Sequence, residues 1–152
     1  MLRAVPKGWF SSVYKVLDNN THVATLDPSY FREAAELTIK GSTYSLYREG
    51  LMSGAFILKT GDSILARALK PSALYRSFQV EQAGKQYTLE AEAVLSKRFV
   101  LSEGGVRVGA VYPERALTRK TVVDFPEEIP LPVRVFMFWL VMILWNRSDS
   151  GS

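Results

Sequence analysis

The segment Val135–Trp145, VFMFWLVMILW, runs eleven residues without a polar side chain. A helix that is apolar on every side must be surrounded by lipid or by protein, because it has no face to offer water. Length weighs between the two. From Leu131 to Trp145 there are fifteen residues, and a helix of that length spans about 22 Å. A bilayer core is about 30 Å thick and takes about 20 apolar residues. Arg134 falls within the first turn, and Asn146 and Arg147 close the far end. Pro130 and Pro132 suit a first helical turn, where a missing N–H costs nothing. Glu127 and Glu128 are expected near the positive end of the helix dipole and Arg147 near its negative end. These signals predict a helix over 131–146 enclosed by its own protein. The competing reading is a tail anchor over 131–145, helped by bilayer thinning and by snorkelling of Arg134 and Arg147.

Upstream of Pro126 the apolar pattern is mostly period two, with turn signals every eight to twelve residues. That spacing suggests an all-β barrel or sandwich. WFSSVYKVL reads as a first strand and THVATL as a second, joined at Asp18–Asn20. DPSYFREAAE holds a loop or one helical turn. ELTIK and STYSLYR flank Gly41, GAFILK and SILARALK flank Gly61, ALYRSFQV and KQYTLEAE flank Gly84, and KRFVLS and VRVGAVY flank EGG. LTRKTVVDF is a last strand, stopped by Pro126. About eleven strands can be counted, with an error of one or two because boundaries are poorly marked in a single sequence.

Several runs have one apolar face, as in Tyr87, Leu89 and Ala91, or Val106, Val108 and Ala110 with Arg107 and Gly109 opposite. An antiparallel sheet of this kind must cover its apolar side. A helix without a wet face and strands with one dry face satisfy each other. The expected fold is therefore all-β with one helix: a closed antiparallel barrel of about twelve strands around a buried C-terminal helix. It forms a single domain over 1–147, with 148–152 expected to be a disordered polar tail. Burying eight or so large helix side chains yields a gross gain of about 12–24 kcal/mol. That exceeds the usual net stability of a domain, so removing the helix should unfold the barrel.

Composition narrows the chemistry. The 152 residues are 47% hydrophobic and 22% charged, ordinary for a water-soluble domain. Without cysteine there is no disulfide, thiolate nucleophile or thiolate metal site, which fits a reducing cytoplasm. No apolar run of signal-peptide length opens the sequence. Of the net charge of +4, all lies in residues 1–76, with ten Lys/Arg against six Asp/Glu; residues 77–152 balance nine against nine. Such an excess permits weak attraction to phosphate surfaces.

The candidate phosphate-binding residues are Arg115, Arg119 and Lys120 in PERALTRK, and the smaller pair Lys97 and Arg98. Each basic side chain near an anionic bilayer contributes about 1 kcal/mol, although solvated loops and strand ends are the commoner fate of such residues. Arg3, Lys7, Trp9 and Phe10 could lie at a membrane interface; the preferred reading starts a strand at Trp9 and Phe10. His22 is the single histidine and cannot build a recognisable zinc site alone. Glu90 and Glu92 share a strand face but are expected to be solvated. G-x-S-x-G, G-x-G-x-x-G and P-loop patterns are absent. No catalytic residue, metal or cofactor is expected, and an enzyme is the least supported class. Aromatic and basic residues interleave in STYSLYR and ALYRSF, but strands use aromatics for packing, and no nucleic-acid partner is expected. Arg134 should reach a rim carboxylate or solvent, since a buried charge needs a partner.

A strand series ending in VVDFPEEIPLPVRVFMFWLVMILW resembles the tubby C-terminal-like superfamily, which takes in tubby, the LURP-one-related proteins and the phospholipid scramblases. The resemblance covers about residues 10–147 and is nearest to small bacterial or LURP-one-related members. It implies a twelve-stranded barrel threaded by its C-terminal helix, and binding of phospholipid headgroups through basic surface residues. Scramblases carry an acidic calcium motif before a Phe-Pro pair. Here Phe125-Pro126 follows LTRKTVVD, with Leu117 and Arg119 where acidic ligands would stand. Calcium takes about six to eight oxygen ligands, so calcium-triggered scrambling is not expected. The function these readings imply is a non-enzymatic, monomeric, cytoplasmic module peripheral to an anionic phospholipid membrane. The alternatives are a protein–protein scaffold or a tail-anchored protein.

Overall fold

The period-two runs become strands that pair in chain order. The computed structural model describes residues 1–29, 31–50, 54–71 and 75–150, with side chains up to Ser148. The strands are β1 (Leu2–Pro6), β2 (Tyr14–Asp18), β3 (Thr21–Pro28), β4 (Ala34–Ile39), β5 (Ser42–Arg48) and β6 (Ala55–Thr60). They continue as β7 (Ser63–Leu69), β8 (Ser77–Gln82), β9 (Lys85–Ala91), β10 (Phe99–Glu103), β11 (Val106–Pro113) and β12 (Thr121–Asp124). One helix, α1 (Leu131–Ser150), follows. All pairings are antiparallel between neighbours, and β1 pairs with β12 to close a twelve-stranded barrel.

β1 is the strand that local pattern reading passes over. Leu2 and Ala4 are its two buried residues, and it ends at Pro6, which cannot donate to a ladder. The strand expected to start at Trp9 starts instead at Tyr14; Trp9 and Phe10 lie in the preceding loop, both exposed. In β11 the apolar trio does not form one core face, although Val108 packs against the core and Ala110 is buried. Val111, opposite Phe99 and Val123, joins the core, whereas Val106 is 64% exposed. Ala73 and Leu74, expected to open β8, lie outside the described residues.

Five connections are two-residue turns, all at one end of the barrel. In four of them, Asn19–Asn20, Lys40–Gly41, Ala83–Gly84 and Gly104–Gly105, both central residues take positive φ. That is the type I′ geometry whose twist matches paired strands. Register shifts at Val16/Leu17, Leu58/Lys59 and Leu101/Ser102 lie near these turns. The other six connections are five to seven residues long and stand at the opposite end.

A barrel of twelve strands encloses more room than strand side chains can fill, and α1 occupies it. Every residue from Val135 to Leu144 is buried. Phe136, Phe138 and Trp139 meet inward side chains from around the barrel, with Tyr14 edge-on to Phe138 at 5.6 Å and Phe56 edge-on to Trp139 at 5.8 Å. The helix enters at the turn end and emerges among the long loops. It runs past 146 to Ser150. Among the described residues no helix is long and apolar enough to cross a membrane, and the apolar surface of α1 is covered by strands.

The helix starts at Leu131, as the sequence predicts. No acidic residue stands in the first turn; Glu127 and Glu128 lie in the preceding turn, where Ile129 N–H donates to Pro126 O at 3.1 Å. The Pro130 carbonyl accepts from Val133 and Arg134 N–H at 2.9 and 3.0 Å. Arg134 lies half-buried at the barrel mouth, where its Nε donates to Ile129 O at 2.8 Å. Of the two expected destinations, a rim carboxylate or solvent, no carboxylate stands within 4.0 Å among the described residues, and the side chain keeps part of its surface in water.

Candidate functional site

Antiparallel neighbours place every second connection at the same end of the barrel. The six long loops, 7–13, 29–33, 49–54, 70–76, 92–98 and 114–120, therefore converge around the C-terminal end of α1. By sequence these loops hold nine Lys/Arg and four Glu, a net of +5 against +4 for the whole chain. The two-residue turns and segment 125–130 at the other end hold Lys40 against Asp62, Glu127 and Glu128. Arg134, in the first turn of α1, also lies at this end, so the positive excess of the barrel is concentrated at the loop end.

The same loops display apolar side chains. Trp9, Phe10, Phe31, Tyr75, Val94, Leu95 and Leu117 are each at least 71% exposed, and they come from five of the six loops. The sixth contains Leu51 and Met52, which lie outside the described residues. Single exposed apolar residues are ordinary; a set gathered at one end is not.

The loops are held rather than slack. Arg119 donates to Trp9 O at 3.3 Å and to Ser11 O at 2.5 Å, and its guanidinium lies 5.5 Å from the Tyr14 ring. Arg76 does the same for the next apolar tip, donating to Ala93 O at 2.9 Å and Val94 O at 2.6 Å beside the Phe99 ring. Trp145 Nε1 donates to Lys97 O at 3.1 Å, tying the helix to loop 92–98.

The four glutamates of this end all pair with arginine. Glu33 takes Arg48 and Arg147, Glu49 takes Arg67, Glu92 takes Arg98 and Arg107, and Glu114 takes Arg3. Among the described residues Lys7, Arg32, Lys97, Arg115, Arg119 and Lys120 have no carboxylate within 4.0 Å. Burial, and then the Arg147 charge, lower the Lys70 ammonium from its ordinary pKa of 10.5.

All five sequence-derived candidates thus lie on the two loops that flank the β10–β11 hairpin, but in different situations. Lys97, Arg115 and Lys120 carry charge without a carboxylate within 4.0 Å among the described residues. Arg98 is paired with Glu92 at 3.2 Å and stacked 4.5 Å from the Tyr112 ring. Arg119 is committed to loop carbonyls. The sequence reading missed Arg32, Arg76, Phe31, Val94, Leu95 and Leu117. A signal existed in the alternation of two-residue turns with longer connections, which marks the loops that share an end. Elsewhere, His22 Nε2 is hydrogen-bonded to Thr25 Oγ1 at 2.9 Å on the exposed barrel wall. No three His, Asp or Glu side chains converge into a cation site among the described residues. Compared with known proteins, the chain matches no protein-family model, no curated protein and no solved structure.

Proposed function

We propose that the protein is a non-enzymatic module that docks its loop end onto an anionic phospholipid surface, at the cytoplasmic face of a membrane. The observation that carries this reading is the coincidence, at one end of the barrel, of exposed apolar loop tips with a positive charge excess. Apolar side chains gain by entering the headgroup region, and cations gain from anionic lipid; a single acyl-chain-sized contribution holds weakly, and the two together hold stably. The concentration of positive charge at the loop end orients the approach, because the anionic surface attracts that end most strongly. Kinship with the tubby C-terminal-like superfamily belongs to the same proposal. Its support is the combination of twelve antiparallel strands with a threaded apolar C-terminal helix.

Vesicle flotation tests the reading. The protein should float with vesicles of phosphatidylcholine containing phosphatidylserine, not with phosphatidylcholine alone, and should be released progressively as salt shortens the screening length. Failure to float with anionic vesicles at low salt would sink the reading.

A further inference from the structure

We infer that the groove between loops 7–13 and 114–120 is the element that enters the bilayer, seating one phospholipid with its acyl region against Trp9 and Leu117 and its phosphate at Lys120, with Arg119 as the residue that positions the two walls. This rests on the membrane-docking reading and narrows it to one site.

The groove holds about 490 Å³ and is lined by Val5, Pro6, Trp9, Leu117, Arg119 and Lys120 among others. Its walls are apolar, and its cations face no carboxylate within 4.0 Å among the described residues. Two other hollows at the loop end each include an acid: one sets Glu33 beside Arg32 and Arg147 at the C-terminal end of α1, and the other sets Glu90 beside Arg76. Each carboxylate offsets its neighbouring cations, and the helix dipole opposes an anion at the first. The charged lining of the groove between loops 7–13 and 114–120 is Arg119 and Lys120, so of these three hollows it suits a phosphodiester best.

Leu117 sets this groove apart. Its φ is +62°, in the left-handed region that a bulky side chain rarely adopts, and the side chain is fully exposed. Glycine or asparagine would make the same turn at less cost. Nothing inside the protein gains from a leucine there, so the side chain answers to something outside. Opposite stands Trp9, whose amphipathic ring suits the headgroup level of a bilayer. Arg119 spans the gap by donating to Trp9 O and Ser11 O from the loop that carries Leu117. The two walls thus move as a unit, which spares the ordering cost of insertion.

The experiment uses the full chain with phosphatidylserine-containing vesicles that carry a shallow nitroxide on the acyl chain. Wild-type tryptophan emission should be quenched on binding, and W9F, compared at vesicle concentrations that saturate both proteins, should lose most of that quenching, since Trp139 is buried and Trp145 is tied to Lys97. Trp9→Ser with Leu117→Ser should weaken vesicle binding by about tenfold or more. Lys120→Gln should weaken it by about fivefold. Arg119→Gln should lower the anisotropy contributed by Trp9 in the free protein, at unchanged melting temperature, and weaken binding in parallel. All these side chains are at the surface, and melting curves verify the fold. Wild-type binding that survives the Trp9/Leu117 double substitution overturns the inference and leaves the docking reading standing. Unchanged anisotropy in Arg119→Gln overturns its positioning role. A wild type that ignores anionic vesicles removes both the reading and the inference.

Discussion

Arg147 grips both carboxylate oxygens of Glu33, at 2.6 and 2.7 Å, and so joins the last turns of α1 to loop 29–33. Arg48 approaches the same carboxylate at 3.3 Å. One acid therefore serves two guanidiniums, with Lys70 close enough for Arg147 to act on it. The pair is partly exposed, so its expected worth is that of a well-formed surface bridge, about 0.5–1 kcal/mol. Glu33→Gln should cost about 1 kcal/mol in urea unfolding, because it strands two guanidiniums at once. A double-mutant cycle with Arg147→Met should return a favourable coupling. Additive effects would mean that the bidentate contact does not hold the helix end.

Lys70 gives the molecule an alkaline signature. Its folded-state pKa is depressed, by burial first and by Arg147 second. The folded protein thus binds this proton less tightly than the unfolded chain does. Between the folded value and 10.5 the unfolded state carries more of the proton, so this group's contribution to stability rises with pH. Below the folded value the cost is fully present. Arg147→Gln should move the Lys70 titration upward, read from the side-chain carbon shift by NMR. Lys70→Met should abolish this group's share of the alkaline rise. A Lys70 titration unaffected by Arg147→Gln would remove the second cause.

Gly109 permits the close approach of β11 to the chain leaving β12. A Cβ there would stand 2.4 Å from Asp124 O and 3.0 Å from Phe125 Cδ1. Backbone cannot yield as a flexible side chain can, so Gly109→Ala should cost about 1–3 kcal/mol and lower the thermal midpoint by several degrees. By contrast, no atom lies within 4 Å of a Cβ built at Gly61; its φ of +56° would still strain alanine. Equal melting of wild type and Gly109→Ala would show that the strands spread without penalty.

Much of this barrel is legible because hairpins announce themselves locally. Asn19–Asn20 and the glycines at 41, 61, 84 and 104–105 mark turns by residue type, and β4 to β7 follow the alternation around them. β1 escapes because closure depends on Leu2↔Val123 and Ala4↔Thr121, pairs about as far apart in sequence as the chain allows. Period two also leaves the side of β11 ambiguous, since Val106, Val108 and Ala110 alternate as cleanly as Gly109 and Val111 do. The packing of Val111 against Phe99 and Val123 settles it. The loop end is a property of topology. Trp9, Phe31, Val94 and Leu117 look like strays in sequence and become one surface only when the connections alternate in direction. Arg119 and Arg76 read as charge in sequence, whereas in the fold their main contacts are carbonyls of neighbouring loops.

The helix plug carries the most severe prediction. Trp139 is fully buried and touches Phe56 from the barrel wall and Phe136 from the preceding turn, with ring centroids 5.8 and 6.1 Å away. Truncating it to alanine removes one of the largest side chains in the core and leaves a void that twelve hydrogen-bonded strands cannot close. Trp139→Ala should cost about 3–5 kcal/mol, a large share of a typical domain's stability of about 5–15 kcal/mol. Ending the chain at Pro130 removes every contact from Val133 to Leu144. The expected product has lost its near-ultraviolet circular dichroism and cooperative melting and aggregates through strands whose inner face is uncovered. A Pro130 truncation that stays dispersed and melts cooperatively would mean the barrel holds itself up, and that the apolar helix serves some purpose other than filling it.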